Sequence, residues 1–271
     1  NDGDIHASVI EETIIGIINT AESGILSRMQ HELAKVIYIL DKLEDANPHT
    51  LYSIELLLYR ILEHYGNINE TRLIKEIMSN PESLMEIIDK TYMSSDEDER
   101  AVEIEQLKND NSYALMGWHI LYTLRQTPFV DSNNTIDEVA LNNYIDKLQT
   151  LGNAKHKIKG VNTVIGELLG NYPETEDYPP IPICDIIERL NSKEVNDGFR
   201  TRLYNKRGVT VRPAYDGGTL EKNEANKYKK YADKIRYTHP IVCSIFDDLS
   251  RDYYQIAKNE DLRVKIEKME F

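Results

Sequence analysis

Apolar residues in this chain recur at three- and four-residue spacing, the period of one helix face; strand-like alternation is lacking. Within residues 4–44, Ile14, Ile17 and Ile18 are followed by Ile25, Leu26 and Met29, then by Leu33, Val36, Ile37, Leu40 and Leu43. Ser23-Gly24 marks a break, with Ser23 placed to cap a second helix. That helix ends before Pro48, because the residue preceding a proline is pushed out of the helical region. A third helix is predicted over 49–65 from Leu51, Ile54, Leu57, Leu58, Ile61 and Leu62, with Gly66-Asn67 as its stop. Short helices follow at 69–79 and 81–93, the latter entered through Asn80 and Pro81.

The second half repeats the pattern. A helix over 111–126 carries Tyr113, Met116, Trp118, Ile120, Leu121 and Leu124, and Trp118, the only tryptophan, is expected to anchor the core. Thr135 and Glu138 have capping-box spacing ahead of a helix expected to bury Val139, Leu141, Tyr144, Ile145 and Leu148. Another helix spans 161–169, ended by Gly170. Four prolines in 171–182 exclude regular structure there. Helices resume at 183–192, with Pro182 in the first turn, and at 194–206. Residues 219–237 and 240–257, joined at Thr238-His239-Pro240, are predicted to form an antiparallel hairpin, with a charged, frayed helical end over 260–271.

No segment has hairpin-turn chemistry between β-branched runs, and no precise repeat is present. The expected fold is all-α: stacked antiparallel helix pairs, as in a helical bundle or α-solenoid, without a sheet. The acidic stretch 96–110 reads as a linker or solvated helix between an N-terminal helical segment (1–95) and a C-terminal helical domain (111–271).

Composition narrows the function more than the fold. The 271 residues suffice for one large or two small domains, and 41% hydrophobic residues supply a core. A net charge of −14 argues against a broad nucleic-acid-binding surface and suits a protein partner. Cys184 and Cys243, far apart in sequence, read as reduced, buried thiols of a cytoplasmic protein, with a single disulfide as the open alternative. No apolar run approaches the roughly 18 residues of a membrane span, so no membrane association is expected. The chain starts at Asn1 and not at Met, and is read as a fragment.

The set Gly198-Phe199, Tyr204-Asn205, Arg207-Gly208-Val209, Gly217-Gly218, Glu221, Tyr228, Ala232, His239-Pro240, Tyr253 and Ala257 resembles the C-terminal region of large, uncharacterised bacterial proteins. The resemblance extends back through the 183–190 helix, residues 114–125 and the helices of 51–92, most of the chain. That family is defined by similarity and not by an activity. The resemblance therefore implies the tail of a longer bacterial protein and carries over no catalytic residue. The sequence departs from it in being rich in Lys, Ile and Asn.

Chemistry-bearing motifs are missing. The seven histidines are scattered, and His31-Glu32 lacks the second histidine of a zinc helix. Neither cysteine has a near metal-ligating partner, and no nucleophile elbow or phosphate loop occurs. No catalytic residue, metal or cofactor is expected. One constellation remains: residues 200–236 hold eleven Lys and Arg against four Asp and Glu, around the only Gly-Gly of the chain. Free N–H groups at the start of the 219 helix, beside Arg207 and Arg212, are suited to a phosphate or carboxylate. The candidate ligand residues are Arg207, Arg212, Gly217, Gly218 and Thr219. The structural reading of the same residues is equally concrete: the glycines permit turns, Thr219 or Asp216 caps, and the arginines tie the loop to acidic helices. The leading functional expectation is a non-enzymatic helical scaffold or protein-interaction module. The alternative is a regulatory module binding an anionic small molecule, or less readily a nucleic acid, at the 207–221 loop and helix start.

Overall fold

The computed structural model describes residues 6–20, 23–65, 71–208, 213 and 216–267. Among these residues it is all-α, with fourteen helices and no strand; the sole β feature is an isolated bridge between Val130 and Ile136. The chain forms two compact units, one of Asn1–Thr91 with Val102–Arg125 and the other of Tyr92–Ala101 with Gln126–Phe271. The division differs from one at residues 95 and 110, because residues 111–125 pack with the N-terminal helices.

The first unit holds α1 (Ala7–Thr20), α2 (Ser23–Leu40), α3 (Pro48–Leu57), α4 (Tyr59–Tyr65), α5 (Arg72–Ser79), α6 (Pro81–Thr91) and α8 (Ser112–Thr123). Ile14, Leu33, Ile37, Leu40, Leu51 and Ile54 form its first core. The single helix expected over 49–65 is two helices, broken at Leu58, whose φ of −103° and ψ of 15° leave the helical region. The stop expected at Gly66-Asn67 lies outside the described residues. Asn47 and Thr71 cap α3 and α5 with their side chains. The acidic stretch becomes α7 (Glu97–Asn109), a helix with no buried residue, which is the solvated form of the expectation.

Carboxylates distant in sequence cap several helix starts. Asp45 accepts from Ala7 N–H (3.1 Å) and Glu11 from Asn47 N–H (2.7 Å). Glu55, 1% exposed, accepts from both Arg72 N–H (3.2 Å) and Leu73 N–H (2.5 Å) at the start of α5. The first N–H groups of a helix have no partner within it, and a carboxylate there also meets the positive end of the helix dipole.

The second unit holds α9 (Glu138–Ala154), α10 (Ile158–Gly170), α11 (Ile181–Leu190), α12 (Lys193–Lys206), α13 (Thr219–Ile235) and α14 (Pro240–Glu267). The α9 start is capped by Asp137, which accepts from Ala140 N–H, and not by Thr135. Val139 stands 72% exposed on the outer side of α9 instead of in the core. Helix pairs pack as expected: α13 and α14 form an antiparallel hairpin, and α14 continues without a break to Glu267. In addition, α10, α12 and α14 run parallel to one another: Thr163 lies by Gly198 and Gly170 by Arg202, while the start of α12 (Lys193, Asp197) lies along residues 241–248 of α14 and its end (Thr201, Tyr204) along residues 249–256.

The tightest contact is between α10 and α12. A Cβ placed on Gly166 would sit 2.1 Å from the Val195 carbonyl oxygen, and one on Gly198 2.3 Å from that of Thr163. Behind this crossing lies an aromatic core of Tyr178, Phe199, Tyr228, Phe246 and Tyr253, with Tyr228 stacked on Tyr253 at 5.7 Å. Cys184 and Cys243 are buried, free thiols, and burial pushes the Cys184 thiol up to about 12.

Gly166→Ala is expected to destabilise the second unit by about 3 kcal/mol, since backbone must move to admit the methyl. Gly16→Ala, in α1 with nothing within 4 Å, is expected to stabilise by about 0.5–1 kcal/mol through helix propensity, with calorimetric melts of both variants as the check.

Burial raises the Glu55 carboxyl above its ordinary value, outweighing the two N–H donors that hold it down. Such a group binds its proton more tightly in the fold than in the unfolded chain. Its contribution to stability is therefore largest below the ordinary carboxylate value and falls as pH rises through the raised one. Glu55→Gln, which cannot ionise, is expected to flatten that part of the curve when urea unfolding is followed from about pH 4 to pH 7.

Candidate functional site

The 207–219 segment begins where α12 ends. Gly208 adopts a left-handed φ of +66°, the ordinary way to leave a helix. Arg207, just before it, donates through Nη2 to Glu221 Oε1 at 2.8 Å and lies 5.4 Å from the Tyr253 ring centre. Glu221, on the first turn of α13, is 1% exposed. Desolvation opposes the Arg207 charge, but the Glu221 carboxylate outweighs it and raises the guanidinium pKa.

Gly217 takes a φ of +58° and Gly218 follows it into α13. The Gly218 N–H donates to Asp261 Oδ1 of α14 at 2.9 Å, and Asp261 also pairs with Lys222 at 2.7 Å. Lys222 and the Gly218 N–H together hold the Asp261 carboxyl below its usual range. Thr219 donates its hydroxyl to the Asp216 carbonyl at 2.9 Å. Arg212 lies outside the described residues. Of the five residues singled out, Arg207 and Gly218 are thus each answered by a carboxylate of the chain itself. Gly217 supplies the turn and Thr219 closes it.

The basic run is used in the same way. Among the described residues of 200–236, nine cations have partners within the chain, and several hold down the proline-rich loop. Lys206 donates to the Tyr172 carbonyl, Arg202 to Asn171, and Lys234 to the Glu176 and Tyr178 carbonyls at 3.0 and 3.1 Å. Lys227 and Tyr231 meet Glu174, and Lys229 and Arg236 converge on Asp247. Arg200, Arg207 and Lys222 complete the nine.

A second feature has no counterpart in the sequence reading. Between the parallel helices α12 and α14 runs a surface groove with two compartments. One, about 500 Å³, is lined by Thr201 and Tyr204 of α12 and by Leu249, Gln255 and Ile256 of α14. The other, about 630 Å³, is lined by Lys193, Asn196 and Asp197 of α12 and by Ile241, Ile245 and Asp248 of α14. Arg200 lines both, and its ion pair with Asp252 spans the groove between them. Both partners are nearly half exposed, so the pair contributes only about 0.5 kcal/mol and opens readily. The signal was present in the sequence: Lys193, Asp197, Arg200 and Tyr204 recur at helical spacing on one face of α12. Polar residues at that spacing are equally what a plain solvated helix face carries.

Trp118 also departs from expectation. It is 53% exposed, stacked on Tyr122 at 5.1 Å, with Leu115 beside it on the outer face of α8. The inner face is taken by Gly117, Ile120 and Leu121, and at Gly117 the helix comes too close to Thr91 and Ile87 for a large side chain.

Compared with protein-family models, curated proteins and solved structures, the chain matches none.

Arg207→Ala removes the guanidinium paired with the buried Glu221 carboxylate and is expected to cost about 3 kcal/mol, measured by chemical denaturation of the full chain. Adding Glu221→Gln to that variant is expected to restore part of the loss; an equal loss in both would mean that the pair is not what Arg207 supplies.

Proposed function

We propose that this chain is a non-enzymatic helical scaffold, an interaction module that presents a groove between helices to a protein partner in the cytoplasm. The observation that carries this reading is the α12–α14 groove. Its walls are two long helices held rigidly by the aromatic core, and its floor is apolar at Leu249, Ile245 and Ile256. Preformed concave surfaces with an apolar floor and a polar rim are the usual form of a recognition site. The free, buried Cys184 and Cys243 fit a reducing compartment, and the net charge of −14 favours encounter with basic partners.

The alternative places an anionic ligand or nucleic acid at Arg207, Arg212, Gly217, Gly218 and Thr219. Such a ligand would have to take the Gly218 N–H from Asp261 and compete with Glu221 for Arg207. Each displacement breaks a contact that a carboxylate of the chain already makes, which weakens this reading.

Replacing Tyr204 with a photoreactive phenylalanine and cross-linking in cells tests the proposal. The expected result is an adduct with a defined protein whose complex re-forms from purified components and is lost with Thr201→Trp, a bulky change at an exposed position of the groove. Phosphate or oligonucleotide binding that Arg207→Ala abolishes, with no reconstituted protein complex, would overturn it in favour of the alternative.

A further inference from the structure

We infer that the α12–α14 groove accepts a single amphipathic helix of the partner, apolar on the inserted face and rich in Lys or Arg along its flanks. This inference rests on the interaction reading above and specifies the partner's chemistry. On α14 the residues lining the first compartment centre near Tyr253 and those lining the second near Ser244, roughly 14 Å apart at a rise of about 1.5 Å per residue. A helix laid along the groove would reach both compartments with two pairs of apolar side chains, i and i+4 in one, i+8 and i+11 in the other. Compartments of about 500 and 630 Å³ have room for such side chains without backbone entry. An extended peptide fits less well, because both walls are helices with their backbone hydrogen bonds satisfied and offer no strand edge.

Charge sets the flanks. The groove lining carries three carboxylates, Asp197, Asp248 and Asp252, against two cations, Lys193 and Arg200. Asp197 faces Lys193 at 3.7 Å on a strongly exposed part of α12, and Asp248 reaches Arg251, which lies outside the groove lining. Arg200 crosses the middle of the groove to Asp252. A partner Lys or Arg arriving at that point takes over Asp252 as Arg200 swings aside, so the crossing is exchanged and no carboxylate is left unpaired. An acidic helix would face three carboxylates, within a chain whose net charge is −14.

The probe is a synthetic helix of about 18 residues with leucines at i, i+4, i+8 and i+11 and lysines on its flanks. It is compared with the same peptide carrying glutamates in place of lysines, and with a scrambled lysine peptide of equal composition. Fluorescence anisotropy against the full chain is expected to give at least about tenfold tighter binding for the amphipathic lysine peptide than for either control. Hydrogen-exchange protection should map to α12 and α14. Thr201→Trp and Asp248→Lys should each weaken binding by about tenfold with unchanged thermal unfolding. Equal binding of the scrambled peptide, preference for the glutamate peptide, indifference to both variants, or no binding overturns the inference. A cross-linked protein partner at Tyr204 that seats no basic helix would overturn this inference alone and leave the interaction reading in place.

Discussion

Backbone meets backbone where α10 crosses α12, and the second unit depends on that contact. Gly166, Gly170 and Gly198 let the two helices approach closer than any side chain at those positions would allow. The approach fixes which way α12 is turned. Val195, Gly198, Phe199 and Arg202 face inward, buried, and the residues on the opposite side of the same helix, Lys193, Asp197, Arg200 and Tyr204, are left to line the groove along α14. The candidate recognition surface is therefore the outer consequence of an inner constraint. A helix that could rotate about its axis would present no constant groove.

Charge serves the fold before it serves any partner. The acidic excess suggests a field for basic ligands, yet a share of the carboxylates is committed to helix starts: Asp45, Glu11, Glu55, Glu188 and Asp261 all accept from N–H groups at or beside the first turns of distant helices. Each bond ties two elements together and places negative charge at the positive end of a helix dipole. The basic stretch is the counterpart. Lysines and arginines of α12 and α13 donate to carbonyls and carboxylates of the proline-rich loop, which has no regular hydrogen bonding of its own. Part of the positive charge in 200–236 is committed to that tethering, and much of the remainder to ion pairs with Glu221, Asp247, Asp252 and Asp261 of α13 and α14.

The loop at 207–219 shows why a local reading was incomplete. Its turns follow directly from glycines in left-handed conformations, and the helix start follows from Gly217-Gly218. What answers Arg207 and the Gly218 N–H is not local. Glu221 is fourteen residues from Arg207, and Asp261 forty-three from Gly218. An unsatisfied arginine and a helix N-terminus look the same in sequence whether their partner is a ligand or a carboxylate brought in by the return of α14.

Periodicity and breakers, both local properties, determined the all-α class, the order of helices, the α13–α14 hairpin and most ends within a few residues. Backbone conformation at Pro48, Pro81, Gly208 and Gly217 is decided by sterics inside two or three residues, so the chain carries that information wherever it folds. Only the tertiary structure decided which face of each helix is buried when more than one is apolar. In α8, Leu115, Trp118 and Tyr122 on one side compete with Gly117, Ile120 and Leu121 on the other. The side able to come closest to a neighbour prevailed, because glycine admits the backbone of α6, whereas the larger and greasier tryptophan was left outside. The groove was decided in the same way, since its two walls are some fifty residues apart and become one surface only once α10 has fixed the orientation of α12.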